Sequence, residues 1–199
     1  MTEKTRELQL AEPLVMTMLM TPDMANFSGN VHGGSILKML DQVAYACAAH
    51  YSHHYAVTLS VDQVKFKMPI KVGELVTFYA QVNYVGRSTM EVGIKAMAED
   101  VVSRETRHTN SCYFTMVAVD GNGKSVEVPQ LLLENSVAKA RFVAAKLRRQ
   151  LRLEHDRTMQ EIDLKWTEQL DTLSEQEIDE ALTADAEKAL KASLSGSAI

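Results

Sequence analysis

Residues 26–51, NFSGNVHGGSILKMLDQVAYACAAHY, change from a polar, glycine-rich loop into an apolar helix that carries one carboxylate. From Gly33 onward the apolar residues recur at three- and four-residue steps, which predicts a long amphipathic helix. The residues of this apolar stripe are Ile36, Leu37, Leu40, Val43, Ala44, Cys47, Ala48 and Tyr51. Asp41 projects about 90° from the centre of the stripe, at its border with the polar face. Since an unpartnered, desolvated carboxylate costs several kcal/mol, Asp41 is predicted either to face water or to have a chemical role.

Short alternating segments on both sides of this helix predict an antiparallel sheet. Residues 14–20 are typical of a strand that ends at Pro22, because proline lacks a ladder donor. After the helix the apolar residues alternate with a period of two: Val57, Leu59 and Val61; Val64, Phe66 and Met68; Val76, Phe78, Ala80, Val82 and Tyr84; Met90, Val92, Ile94, Ala96 and Ala98; Cys112, Phe114, Met116 and Ala118. The phase changes after Val61, which predicts a bulge near Asp62 and Gln63. The order is therefore strand, long helix and about four strands, an α+β fold.

The composition of the whole chain excludes several classes of protein. Its 199 residues carry a formal net charge of −5, an acidic balance that argues against non-specific binding to nucleic acid or anionic lipid. The first residues lack the apolar core of a signal peptide, and no later stretch approaches the roughly 20 apolar residues of a membrane span. We therefore expect a cytoplasmic protein with no nucleic acid and no membrane as partner. Cys47 and Cys112 lie in apolar runs without CxxC spacing, so we expect buried, reduced thiols.

The composition becomes charged and helical beyond Pro129. We therefore divide the chain into a domain at residues 1–130 and a C-terminal helical extension at residues 131–199. Within the extension Ser174 and Glu177 fit a capping box, and the final residues are expected to fray. A sparse apolar stripe comprises Leu147, Leu151, Ile162, Trp166, Leu170 and Leu173. We expect the extension to pack on the domain or on a neighbouring subunit and to support an assembly larger than a dimer, the alternative being a solvated helix.

The loop before the long helix combines features that suit a carbonyl or anionic ligand. His32, Gly33 and Gly34 precede the first turn, whose free amides and positive dipole end favour an oxyanion. The two glycines also allow a ligand to approach the backbone. Each residue taken alone has a simpler interpretation, because the glycines can make a tight turn, Asn26 can bond its own loop and Asp41 can be solvated.

The combination of these residues is more specific than its parts. Asn26, Gly29, the VHGG of residues 31–34 and the DQVA of residues 41–44 closely resemble the motif of hotdog-fold acyl-CoA thioesterases, the family of brain-type acyl-CoA hydrolase. The resemblance covers residues 10–135 and includes the later segments VGRSTMEV and VPQL. It implies a hotdog fold, in which an antiparallel sheet wraps around the long helix, and dimers that pair their sheets. The strand order derived above agrees with this fold.

The same resemblance implies a reaction and a site. The protein would hydrolyse the thioester of fatty acyl-CoA to free acid and CoA, with Asp41 as general base or nucleophile. Asn26 from the partner subunit would position water or the carbonyl, and the region of Gly33 and Gly34 would supply backbone donors. No cofactor is implied, since CoA is part of the substrate. The implied assembly is a homo-oligomer, a dimer at minimum and a hexamer built as a trimer of dimers.

Two arginine-containing segments are candidates for binding the CoA phosphates. Arg87 and Ser88 lie in a predicted strand turn, and Arg104 and Arg107 flank the next strand. Guanidinium groups match phosphate oxygens in geometry and charge. The alternative is that these arginines are ordinary solvated surface residues.

Other constellations in the sequence support different interpretations. The HYSHH of residues 50–54 lacks a carboxylate or cysteine that would complete a metal site, so it predicts a polar helix end. Residues 120–124 begin like a calcium loop but lack its later glycine and glutamate, so they predict a hairpin turn. Ser35 lacks the setting of a serine nucleophile. Two alternatives to a thioesterase remain: a hotdog dehydratase or hydratase that uses His32, and an acyl-CoA-binding sensor without turnover.

Overall fold

The structure, a computed structural model, describes residues 6–168 and 172–183. The chain divides into two compact units, Met1–Ala145 and Lys146–Ile199. The functional division at residues 130 and 131 remains a prediction. None of the helices in the described ranges is long and apolar enough to cross a membrane.

The first unit is built on a five-stranded antiparallel sheet. A parallel pair of short strands, β1 (Leu8–Gln9) and β7 (Gln130–Leu131), forms a separate two-stranded sheet. The five strands of the main sheet are β2 (Leu14–Leu19), β3 (Tyr55–Val61), β4 (Leu75–Val85), β5 (Thr89–Glu99) and β6 (Thr106–Val119). Their spatial order is β2-β4-β5-β6-β3, so β2 and β3 are the edge strands. The predicted order of one strand, a long helix and four strands is confirmed.

One long helix, α1 (Gly33–Ser52), packs against all five strands of this sheet. It ends at His53, whose left-handed conformation (φ 56°) closes the helix with a bond from its N–H to the Ala49 carbonyl. The buried face consists of Ile36, Met39, Leu40, Val43, Ala44, Cys47, Ala48, Tyr51 and Ser52. The prediction that Leu37 belongs to this face is wrong, because its side chain is 41% exposed. The predicted sheet around a long helix is confirmed.

The inner face of the sheet supplies the other half of the core. The predicted inward residues of β5 and β6 are all buried. In β4 they are buried from Val76 to Val82, after which a register shift interrupts the alternation. Cys47 and Cys112 are free and buried, as expected. Burial raises the pKa of each thiol to about 12, so neither is a reactive thiolate near neutral pH.

In strand β3 the apolar residues of the predicted alternation are exposed, and only Ala56 is buried. Val57 and Leu59 are 40% and 65% exposed. The register shift lies between Thr58 and Ser60, not at the predicted Asp62 and Gln63. The physical reason is that alternation fixes the period of a strand but not its inward face. On this edge strand the apolar side chains point away from the chain's own core.

The chain after β3 continues beside β6 without regular strand structure. The Asp62 N–H donates to the Tyr113 carbonyl at 2.9 Å, and the Lys67 N–H donates to the Thr109 carbonyl at 3.1 Å. Phe66 and Met68 in this segment are each 48% exposed. The second predicted alternating segment (Val64, Phe66 and Met68) therefore lies beside β6 as an extended segment and is not a regular strand.

The predicted hairpin turn after β6 is confirmed. The Asp120 carboxylate accepts from the N–H groups of Asn122 and Lys124, both at 2.9 Å. Gly123 adopts a positive φ of 77°, which favours glycine at this position.

Residues 136–168 and 175–183 of the C-terminal part are helical, as predicted. Helix α2 (Ser136–Asp163) continues into a π-helical turn (Leu164–Glu168), and helix α3 (Glu175–Thr183) follows. The predicted capping box is confirmed, since the Glu177 N–H donates to Ser174 Oγ at 3.3 Å and the Ser174 N–H donates to the Glu177 carboxylate at 3.0 Å. The predicted fraying of residues 193–199 and the predicted apolar position Leu170 lie outside the described residues.

The first turns of α2 belong to the first unit and pack on β4. The Phe142 ring lies against Tyr84 with 5.1 Å between ring centroids, and Arg141 donates a hydrogen bond to Gln81. Ala145, the last residue of this unit, is completely buried. The start of the extension is thus anchored on the sheet, which agrees with one part of the expectation for it.

Candidate active site

Asp41 lies on the third turn of α1 and is held by a residue of β3. Thr58 Oγ1 donates a hydrogen bond of 2.5 Å to Asp41 Oδ1. The carboxylate is exposed in the single chain, so the expected half-buried border position is wrong for an isolated subunit. Leu37 and Tyr45, one turn to either side, are 41% and 40% exposed. The carboxylate therefore stands in a row of exposed apolar side chains.

Asn26 occupies a tightly hydrogen-bonded loop between β2 and α1. Its Oδ1 accepts from the N–H groups of Ser28 at 2.9 Å and Asn30 at 3.1 Å, and its own N–H donates to the Asn30 carbonyl at 2.6 Å. Gly29 completes the turn with a φ of 78°. The side-chain oxygen is thus a turn acceptor, as the simpler interpretation expected. The Asn26 Nδ2 group finds no acceptor among the described residues, so it remains a potential donor to a ligand.

The glycines at the start of α1 differ in what they offer. His32 is the N-cap residue, and its Nδ1 accepts from the Gly34 N–H at 3.0 Å. The Gly34 amide is therefore already engaged, whereas Gly33 faces an open space. A Cβ at Gly33 would lie 3.6 Å from the Phe66 ring, which shows that the two residues border the same space.

An open cavity of about 260 Å³ lies beside this helix start. Asn26 and Gly33 line one part of it, and the remaining lining is mainly apolar. The other lining residues are Asn30, Val31, Ile36, Phe66, Met68, Pro69 and Ile70. Asp41, eight residues further along α1, lies about 12 Å along the helix axis from Gly33 and does not line the cavity. Within one chain, Asn26 and Asp41 therefore belong to different parts of the surface.

The four predicted phosphate-binding residues form two separate pairs. Arg87 and Ser88 lie in the turn before β5, and Arg104 and Arg107 lie after it. The eleven residues of β5 separate these turns by about 33 Å, at roughly 3.3 Å per residue. One chain therefore cannot bring all four residues to one CoA phosphate group.

The two pairs also differ in their existing contacts. Arg87 is exposed, and its carbonyl accepts from the Val128 N–H at 3.0 Å. The Ser88 carbonyl accepts from the Ala118 N–H at 3.0 Å. Arg104 is 76% exposed and lies 3.1 Å from the Glu99 carboxylate. These contacts leave the exposed guanidinium group of Arg87 accessible to an anion.

Arg107 is engaged in a two-point ion pair. Its Nη1 and Nη2 donate to Glu74 Oε1 and Oε2 at 2.8 and 2.6 Å, and Nη2 also donates to the Pro69 carbonyl at 2.7 Å. The Glu74 side chain is only 5% exposed. Burial alone raises the pKa of Glu74, but hydrogen bonds from Arg107 and from the Lys71 N–H outweigh burial and hold the pKa below its ordinary value of 4.5. The hydrogen bonds to Glu74 in turn raise the pKa of Arg107.

Sequence reasoning did not identify Thr58 and Glu74. Thr58 is one of the polar residues that alternate with Val57 and Leu59 in β3, so the sequence pattern assigns it to the solvent side of the strand. Glu74 follows a glycine in a predicted loop, so nothing in the local sequence distinguishes it from a solvated carboxylate.

The histidines near the end of α1 act at the helix terminus. His53 is the C-cap residue, and its Nε2 lies 3.3 Å from Gln9 Nε2. His50 and His54 are exposed. In the described ranges no group of three or more histidine, cysteine, aspartate or glutamate residues is arranged to hold a metal ion.

Comparison with known proteins supports the motif-based resemblance. A model of the thioesterase superfamily matches residues 28–104. Protein VdlD of Helicobacter pylori is 50% identical over 139 residues, covering 70% of this chain and 79% of that protein. The uncharacterized acyl-CoA thioester hydrolase YkhA of Bacillus subtilis is 33% identical over 121 residues, covering 61% of this chain and 70% of that protein.

Solved structures of acyl-CoA thioesterases share the fold. An apo-hexameric acyl-CoA thioesterase superposes with a TM-score of 0.72 at 29% identity, covering 75% of this chain and 97% of that one. The acyl-CoA hydrolase of Staphylococcus aureus in complex with butyryl-CoA and CoA gives a TM-score of 0.65 at 29% identity, covering 74% and 93%. Alanine variants of the same enzyme at one asparagine, one aspartate and one threonine give TM-scores of 0.74, 0.67 and 0.62.

An antiparallel sheet wrapped around one long helix, with paired glycines at the helix start, defines a hotdog protein of the thioester-processing class. The chain belongs to the acyl-CoA hydrolase family of the thioesterase superfamily. The resemblance identified from the sequence motifs is thereby confirmed.

Proposed function

We propose that the protein is an acyl-CoA thioesterase that hydrolyses fatty acyl-CoA to free acid and CoA. The observation that carries this proposal is the Asp41 carboxylate, exposed on the central helix and oriented by the 2.5 Å hydrogen bond from Thr58. A fixed carboxylate with one oxygen engaged presents its other oxygen to a water molecule or a carbonyl carbon. Such a group suits general-base or nucleophilic attack on a thioester.

The general-base route assigns each residue a step. Asp41 takes a proton from water while the water oxygen attacks the thioester carbonyl carbon. Asn26 Nδ2 and the Gly33 N–H donate hydrogen bonds to the substrate carbonyl or to the water, and so stabilise the charge that develops on oxygen. The carbon–sulfur bond then breaks, and the CoA sulfur leaves and regains a proton. In the nucleophilic route an Asp41 oxygen attacks the carbonyl carbon itself, the carbon–sulfur bond breaks, and the CoA thiolate leaves and takes up a proton. Water then hydrolyses the resulting mixed anhydride to the free acid and the Asp41 carboxylate.

The variants studied in the Staphylococcus aureus enzyme support this choice of residues. The substituted asparagine, aspartate and threonine of that enzyme are spaced 15 and 17 positions apart. Asn26, Asp41 and Thr58 have the same two spacings. We therefore propose that Thr58 belongs to the site as the residue that orients Asp41.

The separation of Asn26 from Asp41 within one chain supports a site shared by two subunits. Edge strand β3 exposes the apolar side chains of Val57, Leu59 and Val61, and the neighbouring helix row exposes Leu37 and Tyr45 around Asp41. We propose that a second copy covers this apolar surface and brings its own Asn26 to Asp41. Three such dimers would form the hexamer implied by the resemblance, and an acyl-CoA thioesterase of similar fold is hexameric.

The cavity beside Gly33 is the proposed position of the acyl chain. Its lining is mainly apolar, and Asn26 and Gly33 mark the end at which a carbonyl can be held. The cavity is open in the single chain, so its volume of about 260 Å³ does not set the length of the acyl chain.

The proposed contacts to the CoA phosphates are Arg87 with Ser88, and Arg104. These residues lie at opposite ends of β5, so in a dimer they would serve different parts of the CoA or different sites. Arg107 is left out of this proposal, since most of its hydrogen-bonding capacity is already used.

A dehydratase that uses His32 is disfavoured by one contact. His32 Nδ1 accepts the Gly34 amide hydrogen at 3.0 Å, so this histidine acts as the helix cap. That hydrogen bond would have to break before Nδ1 could take a proton from a substrate.

Release of free thiol tests the proposed function directly. Purified protein is mixed with saturated acyl-CoA esters of two to sixteen carbons, and the thiol is titrated continuously. A thioesterase releases one thiol per acid formed. Tight binding of these esters without thiol release would identify a sensor and overturn the proposal.

A further inference from the structure

Glu74 and Arg107 form a buried hub at the start of β4. The Glu74 carboxylate accepts hydrogen bonds from both terminal nitrogens of Arg107. Its Oε2 also accepts a hydrogen bond of 2.9 Å from the Lys71 N–H. Arg107 binds the Pro69 carbonyl as well. The hub therefore fixes both ends of the segment at residues 69–74 and ties that segment to β6.

The segment at residues 69–74 in turn holds the Asn26 loop. The Val31 N–H donates to the Ile70 carbonyl at 2.8 Å, and Asn30 pairs with Lys71 in an antiparallel bridge. Asn30 is the residue that binds both the backbone and the side chain of Asn26. A continuous set of hydrogen bonds thus links the Arg107 guanidinium to the Asn26 side chain.

We propose that Glu74 and Arg107 are positioning residues that hold Asn26 in place for thioester hydrolysis, and that Arg107 does not bind the CoA phosphates. This inference rests on the proposed function of Asn26. Three of the five N–H donors of a guanidinium group are used by Glu74 and Pro69. The adjacent carboxylate also neutralises the charge that a phosphate would need. Since Asn26 lies on a loop, its position depends on the segment that anchors it.

Two substrates distinguish positioning from phosphate binding. One is an acyl-CoA ester, and the other is the same acyl group on N-acetylcysteamine, which carries the thioester but no phosphate. We expect Arg107→Gln and Glu74→Gln to lower kcat about tenfold to hundredfold on both substrates, because a small misplacement of a reacting group has effects of this size. If Arg107→Gln raised the KM for acyl-CoA but left hydrolysis of the N-acetylcysteamine ester unchanged, Arg107 would be assigned to phosphate binding and the proposal would be overturned.

The matched control is Glu127→Gln. It also converts the carboxylate of an arginine ion pair to an amide, but its contact with Arg6 is 3.9 Å long and its side chain is 54% exposed. We expect this variant to retain wild-type kcat. Arg107→Lys is the second variant, in case Glu74→Gln does not fold. It keeps one charged hydrogen bond to Glu74, and we expect a smaller fall in kcat than with Arg107→Gln.

A double substitution tests whether the hub acts through Asn26. In an Asn26→Ala background, Arg107→Gln should cause little further loss of kcat, since the residue that it positions is already absent. Independent, multiplicative losses would show a general structural role and overturn the inference.

Failure of the proposed function can be distinguished from failure of this inference alone. If the wild-type protein releases no thiol, or if Asn26→Ala retains full activity, the proposed function of Asn26 fails and the inference fails with it. If Asn26→Ala is impaired but Arg107→Gln affects only KM for CoA esters, the inference alone fails.

Discussion

At the scale of single residues, Asp41 and Thr58 form the smallest unit that explains the proposed chemistry. Among the described residues, the hydrogen-bond partner of this carboxylate on α1 is Thr58, which comes from the neighbouring strand β3. The hydrogen bond engages Oδ1 of Asp41 and leaves Oδ2 for the proposed reaction.

Asp41→Asn should preserve the fold and remove most of the activity. The amide has nearly the same shape as the carboxylate, and the site is exposed in the subunit, so packing changes little. It cannot accept a proton or attack a carbonyl carbon, and loss of a general base lowers turnover about 10²- to 10⁴-fold. Steady-state thiol release measures this. A kcat/KM near that of the wild type would remove Asp41 from the mechanism.

Thr58→Val should have a smaller effect in the same direction. Valine keeps the shape of threonine but loses the donor to Asp41, and a hydrogen bond to a charged group contributes about 1.5–3 kcal/mol. We therefore expect kcat to fall roughly tenfold to hundredfold. Thr58→Ser keeps the hydroxyl group and is the control. Equal activity of the valine and serine variants would show that the hydroxyl group does not orient Asp41.

At the scale of secondary structure elements, the sequence predicted α1 and the inner face of β4–β6 because these elements are buried by their own chain. Periodicity then reports the core directly, as for Ile36 and Phe78. Periodicity did not identify the buried residues of β3, because its apolar side chains Val57 and Leu59 face outward at the edge of the sheet. Thr58 was therefore not identified from the sequence. The Glu74–Arg107 pair was not identified either, because its two residues are 33 positions apart in the chain.

The Glu74–Arg107 pair should give the protein a defined dependence of stability on pH. Since the pKa of Glu74 is lowered in the folded state, its contribution is fully present above the unfolded value of about 4.5 and is lost as the pH falls through the folded value. Removing one partner of a buried pair costs about 3 kcal/mol, so Glu74→Gln should lower the melting temperature at pH 7 by roughly 10 °C.

Melting curves at pH 7 and at pH 4 and below check this prediction. The difference between wild type and Glu74→Gln should shrink as the pH falls, because the wild-type carboxylate becomes protonated. Glu127→Gln, which changes an exposed carboxylate, should melt like the wild type at each pH. A difference that stays constant over the whole range would show that the charge of Glu74 does not contribute to stability.

At the scale of the whole molecule, we propose that a second subunit completes the site. Asn26 lies beside the cavity at the start of α1, and Asp41 lies about two turns further along the helix. The surface around Asp41 is apolar and exposed, and β3 offers an unpaired sheet edge next to it. A symmetric dimer that buries this surface would bring the Asn26 of one chain toward the Asp41 of the other.

Mixing two strongly impaired variants tests this central claim most directly. Asn26→Ala and Asp41→Ala chains are purified separately, combined in equal amounts under conditions of verified subunit exchange, and assayed for thiol release from acyl-CoA. In a shared site each mixed dimer regains one intact site, so random exchange should restore about a quarter of wild-type activity. Activity that stays at the level of the separate variants would place Asn26 and Asp41 in the same subunit's site and contradict the account.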